Sequence, residues 1–421
     1  MNDTVDQAVP QALAADYGGI LTHRRPGNEG WKALSENAYR VIHKVDDLGP
    51  EARAQIAESR QSVTDLLSAA MQYTNLGFFA GSGTSLGAAN GPSMWKLWAK
   101  AMCTDADGHQ LSEQGESVCK KINYTERKNP NIEHFLSQCD AYLSFSADAE
   151  VQEFVTRVKE KILELCSVFL TQEGSDISAY RYLLQKLARR RVRDPRLRVF
   201  TTNYDMCFES AASDLGITVI DGFSYTRNRR FDGRHFSYDV VRRDSEKQDF
   251  VEGVFHLHKL HGSVSWQRNG NDVFEVASPA ADKACLIYPA KGKYQQAFLQ
   301  PHLELLSRFL DFLRQPNTCL ITAGFGFNDD HLSEPIYSAI QANPSLKLIL
   351  TDHRCVEHVH NCGHHGSSPY WKRFADLAAR GFDIHFIGGS FADFVDIVPS
   401  LRAVSPAEQL AEAVRRVGGR T

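Results

Sequence analysis

No apolar run in the 421 residues approaches the ~18 that a membrane-crossing helix needs. The first residues, MNDTVDQAVPQALAADYGG, also lack the basic start and apolar stretch of a secretory signal. No membrane association is therefore expected. Nine cysteines in a chain without such a signal predict a reduced, cytoplasmic setting rather than a disulfide framework. Positive charge is not in excess either. Lys plus Arg number 47 against 51 Asp plus Glu, a net charge of −4, which excludes a globally basic nucleic-acid binder and leaves only local patches. Internal repeats and low-complexity tracts are absent. What remains is ordinary globular chemistry, 43% apolar and 23% charged, at a length that suits two domains or one large domain with an insertion.

Residues 1–30 are polar and carry Pro10, Pro26 and four glycines, which reads as an arm. In WKALSENAYRVIHKV, Trp31, Leu34, Ala38, Val41 and Val45 recur at helical spacing, and EARAQIAESRQSVTDLLSAAMQY predicts a second amphipathic helix. Leu76–Ala80 then reads as a strand running into a glycine turn. Residues 94–190 read as mostly helical, most clearly over Ala149–Leu170, whose apolar face is expected to pack inward. Strand patterns return at Leu197–Thr201, Val254–Leu260, Cys285–Tyr288, Cys319–Ala323, Leu346–Thr351 and Asp383–Ile387, with helices at Gln300–Arg314 and Tyr370–Ala379. Residues 221–250 show no clear pattern. Strands alternating with helices predict an α/β fold: a doubly wound, Rossmann-like parallel sheet with a large helical insertion. The expected division is an N-terminal arm and helices over 1–75, a nucleotide-binding domain over 76–95 and 196–400, a helical insertion over 96–195, and a tail over 401–421.

Four segments follow predicted strands, where ligands bind in such sheets. Gly81-Ser82-Gly83-Thr84-Ser85 can admit a pyrophosphate against bare backbone and N–H groups, or can be a tight strand-to-helix turn. Its glycine spacing departs from G-x-G-x-x-G. Thr201-Thr202-Asn203-Tyr204-Asp205 crowds polar groups at a strand end, although Asn203 or Asp205 can equally cap a helix. In His256-Leu257-His258-Lys259-Leu260-His261-Gly262, alternation puts His256 and His258 on one face and His261 last, at the cleft, with Gly262 leaving it room. An imidazole titrating near neutrality suits a general base, and a structural histidine is the competing reading. Gly324-Phe325-Gly326-Phe327-Asn328-Asp329-Asp330-His331 can bind a ribose or cap a helix. The shared placement of all four favours a single cleft.

In order and content, these segments resemble those of the SIR2 (sirtuin-like) family. Gly81–Ser85 resembles its G-A-G-x-S loop, and Gly91-Pro92-Ser93 its G-I-P segment. Thr201–Asp205 resembles T-x-N-x-D, and His261-Gly262 the catalytic H-G. Gly324–Asp329 is similar to the G-[YF]-[SG]-[FL]-x-D loop of bacterial SIR2-like proteins. The resemblance spans about residues 76–390. It implies NAD as substrate, with Asn203 and His261 catalytic. Gly81, Ser82, Gly83, Thr84, Ser85, Thr202, Tyr204, Asp205, Gly324, Phe325, Gly326, Asn328 and Asp329 would line the NAD site, with no catalytic metal. The chain has no C-x-x-C pair, so the zinc module of the family's deacylases is not expected. The resemblance therefore implies an NAD+ hydrolase of antiphage defence, working as a homo-oligomer and with a HerA-like ATPase, with nucleic acid involved only indirectly. Protein deacylation, or a non-enzymatic NAD- or ADP-ribose-binding scaffold, are the alternatives.

Two features stand outside this scheme. Residues 352–365 are dense in His and Cys, which suits either a zinc site or a polar loop near the ligand. Arg189–Arg193 and Tyr225–Phe231 are locally basic, which suits phosphate contacts or, more simply, solvated faces and salt bridges.

Overall fold

The computed structural model describes residues 20–27, 30–105, 107–127, 130–190, 194–243, 248–287, 300–360 and 367–400. The expectations for residues 1–19, Tyr288, Arg191–Arg193, residues 361–365 and the tail 401–421 fall outside them. The strands in chain order are β1 (Thr22–Arg24), β2 (Lys32–Ala33), β3 (Asn75–Ala80), β4 (Leu197–Thr201), β5 (Thr218–Ile220), β6 (Val241–Arg243), β7 (Gln248–Phe250), β8 (Val254–Lys259), β9 (Gly262–Asn269), β10 (Asp272–Glu275), β11 (Ala284–Leu286), β12 (Thr318–Ala323), β13 (Leu346–Asp352) and β14 (Ile384–Gly388).

Among the described residues, the main sheet has nine strands in the order β2-β1-β14-β13-β12-β3-β4-β8-β5. From β14 to β5 neighbouring strands are parallel, and β1 and β2 add an antiparallel margin. This is a mixed α/β architecture with a largely parallel, doubly wound sheet. After β3 the chain builds outward through β4, then returns to place β12 on the other flank of β3. The β3/β12 boundary is therefore the topological switch point, where the loops diverge and leave a crevice. Smaller antiparallel sheets comprise β10-β9-β11 and β6-β7.

Both faces of the sheet are covered, which is why its central strands read as continuous apolar runs. Neighbouring side chains of β3 serve opposite faces. Phe78 packs with Leu67, Tyr180, Phe208 and Phe394, and Phe79 with Phe200, Phe309, Phe312 and Leu320. Between β3 and β4 the chain forms helices at Met94–Met102, Glu113–Lys121, Ile132–Leu143, Ala149–Val168 and Ser178–Leu187. The longest is started by Asp148, whose side chain accepts from Val151 N, and it buries Val151, Phe154, Val155, Val158, Ile162, Leu163 and Cys166. That stripe joins Trp98 and Phe135 in a separate core that also takes in Tyr204, Val264 and Leu286. The helices thus lean on the strand ends where the site lies. Among the described residues, no helix is long and apolar enough to cross a membrane.

Several local expectations change. The helix expected from Trp31 begins only at Glu36, because Ser35 caps it by accepting from Ala38 N. Lys32–Ala33 before it is a strand, paired with β1. Residues 284–286 form a strand of the small sheet, not of the main one. The segment 221–250 holds a 3-10 turn at Gly233–Ser237 and the β6–β7 hairpin.

Candidate functional site

Ala323, Ala80, Thr201 and Lys259 stand side by side at the ends of β12, β3, β4 and β8. The four candidate segments leave the sheet from this one row. The two glycine loops meet first. Gly83 N donates to Gly324 O at 2.9 Å, and Gly81 N to Ala323 O at 2.9 Å. A Cβ on Gly81 would lie 2.4 Å from Gly324 O, and one on Gly83 would lie 2.7 Å from Gly324 Cα. Here the glycines are required by each other: two backbones touch where a side chain would separate them. Gly324 also adopts φ +59°.

Asn203 is buried and ties its segment to the first loop. Its Nδ2 donates to Gly81 O at 3.1 Å and to Thr84 Oγ1 at 3.2 Å, and lies 3.4 Å from Ser85 Oγ. Thr84 is itself fixed by Tyr180, whose hydroxyl donates to Thr84 Oγ1 at 2.9 Å. Thr201 Oγ1 donates to Ala80 O and accepts from Asn203 N, so Thr201 shapes the turn that delivers the amide. With both amide hydrogens engaged, Asn203 Oδ1 remains as an acceptor with no protein partner among the described residues.

Asp205 serves the helix that follows, accepting from Cys207 N at 3.1 Å. Its carbonyl receives the ammonium of Lys259, which also pairs with Glu209 at 2.9 Å. Lys259 is buried, and this ion pair braces the Asn203–Asp205 turn from beneath. Tyr204 points toward the helical block. Its hydroxyl donates to Ile287 O at 2.5 Å and lies 3.4 Å from Glu133 Oε1. Desolvation, reinforced by the charge of Asp329, pushes the Glu133 carboxyl up to about 8.

His261 follows the end of β8 and is buried. Its Nε2 lies 3.1 Å from Asp329 Oδ2 and 3.2 Å from His331 Nε2, with the two rings stacked at 5.2 Å. Asp329 Oδ1 is in turn bound to His331 Nδ1. Burial lowers the His261 pKa against the raising influence of Asp329. For Asp329, burial pushes upward, but the adjoining imidazoles of His261 and His331 outweigh it and hold the carboxyl below its ordinary range. Asp329 occupies the N-cap position of the helix Asp330–Ala342, yet its side chain makes no capping bond. The carboxylate faces the histidines instead. The ligand atoms of His261, Asp329 and His331 lie close enough together to hold a metal ion.

Some expected site residues have other duties. Gly262 has a constraint of its own. It adopts φ +91°, and a Cβ there would lie 2.0 Å from Cys285 O, so the crossing of β11 demands glycine. Phe325 is buried against Phe79 at 4.6 Å and belongs to the core. His258 is sandwiched between Phe200 and Phe236, which is the structural-histidine role. Ser82 and Asn328 are exposed, while Thr202 and Gly326 are half-buried at the rim. In the His/Cys-rich segment, Cys355 is buried in the core and His358 Nδ1 pairs with Ser367 Oγ at 2.7 Å while its ring stacks on Trp371. Cavities of about 660 and 510 Å3 lie elsewhere, beside Arg268, Cys285 and His302 and between Arg230, Gly233 and Arg308. Neither is lined by the four loops.

Residues 197–354 match the model of the SIR2-like domain. This SIR2-like domain match takes in the Asn203, His261 and Asp329 segments and stops short of the first glycine loop. Among solved structures, the chain is similar to a Sir2 homologue mutant in complex with 2'-O-acetyl ADP ribose, at 13% identity and a TM-score of 0.40, covering 84% of this chain and 96% of that one. A structure described as a basis for the mechanism and regulation of Sir2 enzymes matches at 12% identity and a TM-score of 0.38, covering 85% and 98%. No curated protein matches the chain.

Sequence reading missed Tyr180, Lys259, Glu133 and His331 as parts of this site. Lys259 and His331 had a signal, since each lies two positions from a chosen residue. Tyr180 and Glu133 had none, because their contacts are 96 and 71 residues away in the chain.

Proposed function

We propose that this chain is an NAD+ hydrolase that breaks the bond between nicotinamide and ribose, yielding nicotinamide and ADP-ribose. The observation that carries the reading is the row of four strand ends, which gathers two glycine loops, Asn203 and the His261–Asp329 pair at the switch point. The SIR2-like domain match over residues 197–354 supports the same chemistry.

In this reading NAD lies across the strand ends. The Gly81–Ser85 and Gly324–Gly326 loops receive the pyrophosphate, Thr202, Asn328 and Asp329 border the ligand, and Tyr204 and Asp205 anchor the turn that presents Asn203. Bond cleavage develops oxocarbenium character on the ribose, while the leaving pyridinium becomes neutral nicotinamide and needs no acid. The protein therefore has to orient the ribose and the attacking water. Asn203 Oδ1 accepts a hydrogen bond from that water. His261 removes a proton from the water or from a ribose hydroxyl, with Asp329 fixing the ring, so that the base is held by a third group. We extend the proposal to the biological role that the sequence resemblance implies: depletion of NAD as an antiphage effector, as a homo-oligomer with a HerA-like ATPase partner, restrained by oligomerisation or by a partner.

The test is nicotinamide release from NAD by the purified chain. His261→Ala and Asn203→Ala should each lower the rate by roughly 10²-fold or more, the usual worth of a positioned proton-transfer group. Turnover retained in either folded variant overturns its role. An acylated peptide should leave the rate unchanged. Nicotinamide release that depends on such a peptide and yields deacylated product makes the chain a deacylase.

A further inference from the structure

We propose that His261, Asp329 and His331 form a binding site for one divalent transition-metal ion of the zinc class, and that occupancy blocks NAD turnover by engaging His261. The second clause rests on the hydrolase reading, whereas the site itself does not. Three ligand atoms converge: Asp329 Oδ2 and His331 Nε2 lie 3.1 and 3.2 Å from His261 Nε2. Ligands about 2.0–2.1 Å from a tetrahedral ion are separated by about 3.3 Å, so two of the three pairs already stand at coordination spacing, and all three ligand atoms lie within 4.8 Å of one another.

The arrangement of the groups favours an ion. His331 Nδ1 is bound to Asp329 Oδ1, and the opposite edge of the same ring brings Nε2 to 3.2 Å from His261 Nε2. A carboxylate behind an imidazole is the arrangement that orients it for a metal. Asp329 Oδ2 is buried and makes no hydrogen bond, although the His261 ring is near. A cation among the three atoms satisfies the orphaned oxygen and both imidazole nitrogens together. Two imidazoles and one carboxylate suit zinc and its neighbours better than magnesium or calcium, which prefer all-oxygen sets. The side chains of Asp329 and His331 are 14% and 15% exposed, which gives the ion a route in. Three protein ligands leave a fourth position open.

The full chain, stripped with EDTA, should be titrated with zinc chloride and bound zinc counted after desalting. Wild type should retain one equivalent more than His331→Ala or Asp329→Asn. Reading the difference removes zinc held elsewhere, including by residues 352–365. Equal stoichiometry in folded wild type and variants overturns the site. Should both variants unfold, X-ray absorption on the zinc-loaded wild type decides: two imidazoles with oxygen ligands support the site, and a set containing only thiolate and non-imidazole donors overturns it. Zinc should also lower nicotinamide release at least tenfold, reversibly with EDTA. Zinc bound at this site without loss of turnover overturns the blocking role. A chain that binds zinc here but never consumes NAD upholds the site and sinks the hydrolase reading alone.

Discussion

His261 and Gly262 are adjacent, yet different neighbours constrain them. Nothing in an H-G dipeptide reveals that β11 passes within touching distance of Gly262. Gly262→Ala should therefore cost roughly 2–4 kcal/mol, since a Cβ would collide with Cys285 O at a φ of +91°. Gly270 is the control: its φ is +61° with nothing within 4 Å, and Gly270→Ala should cost only about 1 kcal/mol. Urea midpoints of the two variants make the comparison. A second residue-scale prediction concerns Lys259. Lys259→Met leaves the Glu209 carboxylate buried without its partner and should cost about 3–5 kcal/mol, most of it restored by adding Glu209→Leu. Failure of the double variant to recover stability would show that Lys259 acts mainly through the Asp205 carbonyl.

The central strands were legible because burial on both faces writes unbroken apolar runs such as Leu76–Ala80 and Leu346–Thr351. The margin was not. β1 and β2 have three and two residues, too short for any period to emerge, and the pairing of β1 with β14 is a long-range event. The site was legible to the extent that its residues cluster at strand ends. Its supports are distant in the chain, and contacts of that kind leave no local pattern. The meeting of the two glycine loops gives an element-scale prediction. Gly81→Ala must push backbone against backbone, with no flexible side chain to yield, and should lose on the order of 2–4 kcal/mol by thermal denaturation. Ser82→Ala, exposed one position later, should change stability by less than about 0.5 kcal/mol.

Across the whole molecule, several histidines are buried in neutral form. Burial, aided by His385, Arg25 and Lys32, lowers His23 to about 3. Burial and the charge of Arg198 lower His256 to about 4, with Arg308 and Arg196 adding to this and Asp239 opposing it. Burial takes His258 well below its ordinary value, helped by His256, Arg198 and Arg308. A depressed histidine contributes stability that is complete above about pH 6.5 and is lost as pH falls toward its folded value. Denaturant midpoints should thus decline from about pH 6.5 to pH 4, each such group adding up to ~1.4 kcal/mol per pH unit. His258→Phe, placed in an aromatic sandwich where neither ring nitrogen has a partner, should flatten that decline. An unchanged slope would assign the acid sensitivity to other groups.

Among the described residues, the nine-stranded sheet closes at one end on the two residues of β2 and at the other on the three residues of β5. Such stubs offer an incoming chain few free amides and carbonyls to zip onto. Growth by adding a foreign strand is thereby disfavoured at both rims, and any assembly of several copies is steered toward contacts between helices and loops, where side chains can select the mate.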